Sequence, residues 1–224
     1  MLNKDRIIEK MNRLGKDKTP FLFLIDFEGE NGYIIENPFM QRDILFSLNS
    51  TSNSHSYSPS NNSINPIIKP YPKSFEEYNN QFEILKEGLM NGDSFLANLT
   101  IKTKIDINLS LEEIFHRANS KYKLYIKDKL VSFSPECFVK IIDNKISTYP
   151  MKGTIDASIP NAEKVILNNY KETCEHNTIV DLMRNDLNMI SSNVRVERFR
   201  YIDELKTSRG GIITSEFRNS RRFR

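Results

Sequence analysis

Cysteine occurs only at positions 137 and 174 of 224 residues. Two thiols cannot form the disulfide framework of a small secreted domain, so the chain reads as a protein of a reducing compartment, the cytoplasm. No apolar run approaches the roughly 18 residues that span a bilayer, which argues against a membrane protein. The net charge is only +3, too small to imply a nucleic-acid partner, and four of the arginines sit in "RNSRRFR" at 218–224. Seven terminal residues with one Phe make neither a basic surface nor a stacking platform. No internal repeat is visible. The opening "MLNKDRIIEKMNRLGKDK" is amphipathic and carries three acids, so it reads as a helix and not as a signal or transit peptide.

What is present suffices for a folded protein: 38% of residues are hydrophobic and 27% charged, and the length allows a substantial core. "PFLFLIDFEG" reads as a buried strand ending in a tight turn, with "YIIEN" as its hairpin partner. Residues 49–63 are Ser or Asn at 11 of 15 positions; such a stretch cannot bury apolar surface, so a flexible loop is expected over about 49–65. "SFEEYNNQFEILKEGLMNGD" opens with a capping box, Ser74 and Glu77, carries Tyr78, Phe82, Leu85 and Leu89 at helical spacing, and closes at Asn91-Gly92. "SFLANLTIKTKI" alternates like a strand, and "LSLEEIFHRANS" reads as a second capped helix. The span 122–154 is a run of strands broken by turns at Lys127-Asp128 and Asp143-Asn144, with connections too short for anything but antiparallel hairpins. A long helix comes next at about 161–188, then a strand in "VRVERFRYIDEL". The expectation is a single α+β domain over 1–224, with antiparallel β-sheets and helices packed outside.

Within "KETCEHNTIVDLMRNDL" (171–187), Glu172 and Glu175 are three residues apart, so a helix projects both carboxylates from one face. Mg²⁺ takes one or two carboxylates and fills its remaining positions with water or substrate oxygens, which such a pair can supply. A solvated acidic face explains the same spacing, and by itself it is the commoner case. His176 on its own reads as a packed or solvated histidine, and Asp181, Arg184 and Asp186 as ion-pair or capping groups. Lys152 would ordinarily be a surface lysine beside a turn. Gly153 and Thr154 next to it offer close backbone approach and amides suited to a carboxylate. Glu136 in "SPE" is, alone, an ordinary glutamate at a strand end.

The order of four elements is far more specific than any one of them. "GDSFLANLT" (92–100), "SPE" (134–136), "MKGT" (151–154) and "KETCEHNTIVDLMRNDL" together resemble the chorismate-utilising enzymes, from about residue 18 to about 213. That family includes anthranilate synthase component I, aminodeoxychorismate synthase component I, isochorismate synthase and salicylate synthase. The resemblance implies an anthranilate synthase component I-like fold and a Mg²⁺ cofactor held by Glu172 and Glu175. It makes Glu136 the general acid for departure of the C4 hydroxyl, and it sets Gly153 and Thr154 against a carboxylate of chorismate. A dianionic substrate is well served by a metal and aimed amides. Anthranilate synthases usually carry alanine before the Gly-Thr pair and aminodeoxychorismate synthases lysine, as Lys152 is here; that lysine is implied to be catalytic. Isochorismate and salicylate synthases activate water with a lysine where this chain has Leu96. Within the family the resemblance is therefore nearest to aminodeoxychorismate synthase component I, whose partner is a glutamine amidotransferase. No match to a tryptophan-binding motif is found.

The family pattern ordinarily continues through a second pair of metal glutamates and glycine-rich and arginine motifs, none of which is in this sequence. The expectation is accordingly a C-terminally truncated, inactive chain with an incomplete sheet. It would end in a basic tail without apolar periodicity and expose apolar surface near the end of the 194–202 strand. Anthranilate synthase component I, or a non-catalytic remnant that binds the amidotransferase, are the alternatives.

Overall fold

The computed structural model describes residues 1–54, 65–207 and 210–223, with backbone alone for 205–207, 210 and 217–223. It contains helices α1 (Lys4–Lys16), α2 (Phe75–Asn91), α3 (Leu111–Arg117), α4 (Ala162–Asn168) and α5 (Tyr170–Ile190), set against four sheets. Every pairing among the described strands is antiparallel. The α+β architecture is the one the connections imply.

At the N-terminus, Asn3 caps α1 through its side chain, and Ile7 and Leu14, two turns apart, bury the helix on the strand Asn31–Glu36. That strand pairs with Phe21–Ile25 as anticipated. The closeness of the helix depends on Gly32, where an added Cβ would lie 3.1 Å from Ile7 Cδ1 and 2.1 Å from Leu24 O. The Phe21–Ile25 strand is not the buried one expected, because it is an edge strand with Phe23 and Ile25 exposed.

A second sheet runs Thr51–Ser52, Ile44–Leu48, Tyr122–Ile126, Leu130–Ser134. The Ser/Asn-rich stretch expected to be flexible is built in at its start. Asn53 is 6% exposed and donates through Nδ2 to the carbonyls of Pro38 (2.9 Å) and Ile44 (2.8 Å), while its Oδ1 accepts from the Phe46 amide (2.8 Å). One short amide thereby satisfies backbone groups that would otherwise be orphaned under the fold. The rest of that stretch, 55–64, lies outside the described residues. Helix α3 packs Phe115 on Tyr125, and Lys123 Nζ donates to the Phe115 and Ala118 carbonyls at its end.

Ile68–Tyr71 and Lys104–Ile107 form a two-stranded ribbon flanking α2, whose Ser74–Glu77 capping box and Gly92 C-cap (φ 81°) are as read from the sequence. The strand expected over "SFLANLTIKTKI" is confined to its last residues. Residues 94–103 have no described partner strand, and alternation by itself cannot hold an extended segment without one.

The largest sheet is ordered Cys137–Ile142, Lys145–Tyr149, Gly210–Phe223, Met151–Asp156, with Ser191–Thr207 on the other edge of Gly210–Phe223. Asp143 and Asn144 both have positive φ (50° and 58°), the signature of the tight hairpin anticipated there. Lys145–Tyr149 and Met151–Asp156 lie end to end along one edge of Gly210–Phe223, separated by Pro150, which has no amide for the ladder. The chain end expected as a patternless basic tail is thus a strand in the sheet interior. Backbone ladders do not require apolar periodicity, which is why composition misleads there. The single helix expected over 161–188 is two: Asn169 breaks it and caps α5, its side chain accepting from the Glu172 amide. Ala162 and Ile166 of α4 bury against Ile213, with Ile155, Ala157 and Ile202 around them. No helix among the described residues is long and apolar enough to cross a membrane.

Replacing Asn53 with Ala removes three backbone bonds and strands the Phe46 amide. Unsatisfied buried groups cost about 1–3 kcal/mol each, so a loss of about 2–3 kcal/mol is expected. Urea unfolding followed by circular dichroism checks it; Ser54→Ala, on a half-buried neighbour whose hydroxyl meets that of Ser52, should shift the midpoint less.

Candidate active site

Three successive residues of the strand Met151–Asp156 organise the candidate residues. The Met151 amide donates to Glu136 Oε1 at 3.3 Å, anchoring the "SPE" turn to the strand. Lys152 pairs with Ser215 across the ladder. At Gly153 the register shifts by one residue and φ is +73°, a conformation that costs glycine little. The bulge brings backbone against α5: an added Cβ on Gly153 would lie 2.7 Å from Glu172 Oε2. Thr154 comes next, exposed and paired with Thr214.

Glu172 and Glu175 lie in the first turns of α5, both half-buried and one turn apart. Glu172 rests on Gly153, whereas Glu175 Oε1 lies 3.5 Å from Lys171 Nζ. Among the described residues no three acidic, histidine or cysteine side chains converge as a ready metal cage. A pair of half-buried carboxylates suits Mg²⁺, which takes one or two protein carboxylates and completes its shell elsewhere. Asp181 and Arg184 pair with each other, a surface ion pair at 3.6 Å.

His176, next along the helix, is fully buried and meets the Phe199 ring edge-on at 5.9 Å. Burial pushes its imidazole down to about 4, with the positive charges of Arg200 and Lys152 adding to the effect. It is therefore a neutral, packed side chain near pH 7, in line with its reading as a packed histidine. Arg200 is the residue that sequence reasoning missed. Its backbone is left-handed (φ 48°) at a break in the strand pairing, and its guanidinium donates to Thr173 Oγ1 at 2.6 Å and to the Ile166 carbonyl at 2.9 Å. It ties the end of α4 to the first turn of α5 and so holds the segment that carries Glu172. The only signal in the sequence was the stumble in alternation through "VRVERFRYI".

A cavity of about 240 Å³ opens beside the Glu136 turn, lined among others by Lys121, Tyr122, Cys137, Tyr149, Met151 and Glu216. Met151 and Glu216 are cross-strand partners, as are Lys152 and Ser215; adjacent strand residues point to opposite faces, so the cavity lies across the sheet from Lys152. Burial pushes the Tyr122 phenol up to about 12, and its hydrogen bond with Cys137 adds to this. Tyr201 Oη donates to Glu216 Oε2 at 2.8 Å, and burial raises the Glu216 carboxyl. Asp203 is lowered, chiefly by Lys121 Nζ at 2.6 Å. None of these groups was singled out from the sequence, since each is conditioned by a long-range pairing. The candidate residues thus divide: Glu136 reaches the strand at Met151, Lys152 and Gly153 adjoin α5, and Thr154 is exposed on the strand beyond the bulge.

Gly153→Ala forces a left-handed alanine and drives its Cβ into Glu172, with an expected cost of about 2–3 kcal/mol. Thermal unfolding should show it, with Thr154→Ala nearly neutral. Adding Glu172→Ala to Gly153→Ala should recover the steric part alone and leave the backbone strain.

Residues 31–208 match the family model described as chorismate binding enzyme. An uncharacterized PabA-like protein of Haemophilus influenzae is 50% identical over 211 residues, 92% of this chain and 62% of that protein. The aminodeoxychorismate synthase component 1 of Bacillus subtilis is 28% identical over 147 residues, 59% of this chain and 31% of its own length. Among solved structures, a proposed 2,3-dihydroxybenzoate-specific isochorismate synthase of Bacillus anthracis superimposes with a TM-score of 0.57 at 14% identity, covering 99% of this chain and 61% of that one. The last match speaks for the fold alone. The chain spans less than two thirds of the length of the Haemophilus influenzae protein. With most of its length matched to one family model, and half its residues identical to a relative over nearly all of it, the chain belongs to the chorismate binding enzyme family.

Proposed function

We propose that the chain carries the N-terminal share of an aminodeoxychorismate synthase component I site, in an enzyme that replaces the C4 hydroxyl of chorismate with ammonia from a glutamine amidotransferase partner in the cytoplasm. The product, 4-amino-4-deoxychorismate, is the precursor of 4-aminobenzoate for folate. The observation that carries the reading is the run Met151-Lys152-Gly153: an acid is fastened to its first residue, an amine is its second, and a helix carboxylate rests on its third. Lysine before the Gly-Thr pair, in place of alanine, favours amination at C4 over anthranilate formation. Leu96, where a water-activating lysine would stand, disfavours isochorismate formation. Cys137 and Cys174 are both free thiols, as a reducing compartment requires.

In this reading Lys152 attacks C2 of chorismate as the neutral amine, the ring double bonds shift, and the C4–O bond breaks. Glu136 supplies the proton that lets the C4 oxygen leave as water. Ammonia then bonds to C4, the double bonds return, and Lys152 is expelled from C2. Gly153 and Thr154 present backbone amides to a substrate carboxylate. Glu172 and Glu175 would hold Mg²⁺, which when bound offsets the charge of the substrate carboxylate.

Mass spectrometry after incubation with chorismate tests the nucleophile. In an enzyme that spans the whole family fold, Lys152→Ala should abolish the covalent adduct and lower aminodeoxychorismate formation about a thousandfold. An undiminished rate in that variant would rule the role out, and anthranilate as the chromatographed product would transfer the chain to its rival. The metal pair is tested separately. Mg²⁺ should raise the melting temperature of the chain modestly, and Glu172→Gln or Glu175→Gln should each remove the increment.

A further inference from the structure

The short link Pro135-Glu136 joins the strand Leu130–Ser134 of one sheet to the strand Cys137–Ile142 of another. Glu136 is exposed there. An exposed glutamate samples many rotamers, and holding it in one of them costs side-chain entropy. Among the described residues its carboxylate has one hydrogen bond, from the Met151 amide to Oε1. At 3.3 Å that bond is longer than the usual range of about 2.7–3.2 Å, so it is too weak to fix the side chain by itself. Something else must aim it.

The restraint comes from the residue two positions earlier. Ser134 Oγ accepts from the Glu136 amide at 3.1 Å and donates to the Glu136 carbonyl at 3.2 Å, so one hydroxyl grips both ends of the residue. Pro135 between them has its φ fixed by the ring. Ser134 is anchored in turn. It pairs with Tyr122 across the ladder, and Ser120 Oγ donates to the carbonyls of both, at 3.1 Å each. Serine hydroxyls bond nearby backbone at many turns; here the residue they hold is the one that reaches the strand of Lys152. With Oε1 on the Met151 amide, Oε2 has no hydrogen-bond partner among the described residues. We propose that Ser134 is a positioning residue: its hydroxyl clamps the Glu136 backbone so that Oε1 stays on the Met151 amide and Oε2 is the oxygen that carries the proton. The role of Oε2 rests on the reading of Glu136 as the general acid, whereas the clamp stands on geometry alone.

Hydrogen exchange at the Met151 amide, followed by NMR in the full 224-residue chain, tests the clamp. Glu136→Ala should speed exchange there about fivefold, the loss of one hydrogen bond. Ser134→Ala should speed it as much, although Ser134 does not bond that amide, and adding it to Glu136→Ala should speed it no further. Ser134→Thr, which keeps the hydroxyl, should hold the wild-type rate. Glu136→Gln should keep most of the protection, because one oxygen suffices. Exchange at Ile213, buried in the same sheet, should stay constant throughout. Wild-type protection of Met151 in Ser134→Ala would overturn the clamp, and so would a rise at Ile213 in step with Met151, the mark of a general loss of stability. Loss of all protection in Glu136→Gln would overturn the assignment of Oε2. In an enzyme that spans the whole family fold, Ser134→Ala should lower kcat about tenfold and leave KM unchanged. A rate indifferent to Glu136→Ala would sink the general acid and the role given to Oε2, while the exchange result still decides the clamp.

Discussion

The contact between Gly153 and Glu172 is the constraint around which the candidate site is arranged. A strand with a side chain at position 153 would stand off from α5, and the carboxylate could not rest on the backbone. The bulge at the same residue shifts the ladder by one position. That shift re-aims the second half of the strand: Lys152 stays against Ser215 while Ile155 still reaches the α4 core with Ile213. One left-handed glycine therefore serves both the close approach and the packing of the helix layer, which is the usual use of bulges beside sites.

Around that contact, helix positions are set by groups of quite different kinds. Asn169 ends α4 and begins α5, so the amide of Glu172 is capped by the residue that breaks the helix. Arg200 crosses from the opposite layer to bind both helices. Buried His176, kept neutral by desolvation, fills the space beneath α5 without adding charge beside the lysine. The segment that carries the glutamates is consequently fixed by backbone and packing, with Glu172 against Gly153 and Glu175 beside Lys171.

The sheet divides charge between its faces. On the Lys152 side, α5 brings the Glu172 carboxylate onto Gly153 and the buried His176 near the lysine. On the other, Lys121, Asp203, Glu216 and the phenols of Tyr122 and Tyr201 form a linked polar network around a cavity. The strand itself links the two faces, since Met151 belongs to the cavity wall and its amide donates to Glu136.

The sequence by itself determined the local elements whose cause is local. The Ser74–Glu77 capping box, the capped start of α3 and the Asp143-Asn144 hairpin depend on residues a few positions apart, and all appear as read. The family motifs were legible for the same reason, being short and ordered. Tertiary structure alone decided what depends on distant partners. Asn53 is buried because three carbonyl and amide groups of another segment converge on it, so its Ser/Asn-rich neighbourhood misleads. Residues 94–103 alternate but have no described strand beside them, and the chain end lacks alternation but lies between two ladders. Extended backbone is stabilised by hydrogen bonds to a neighbour strand, and no pattern within one strand encodes whether that neighbour is there.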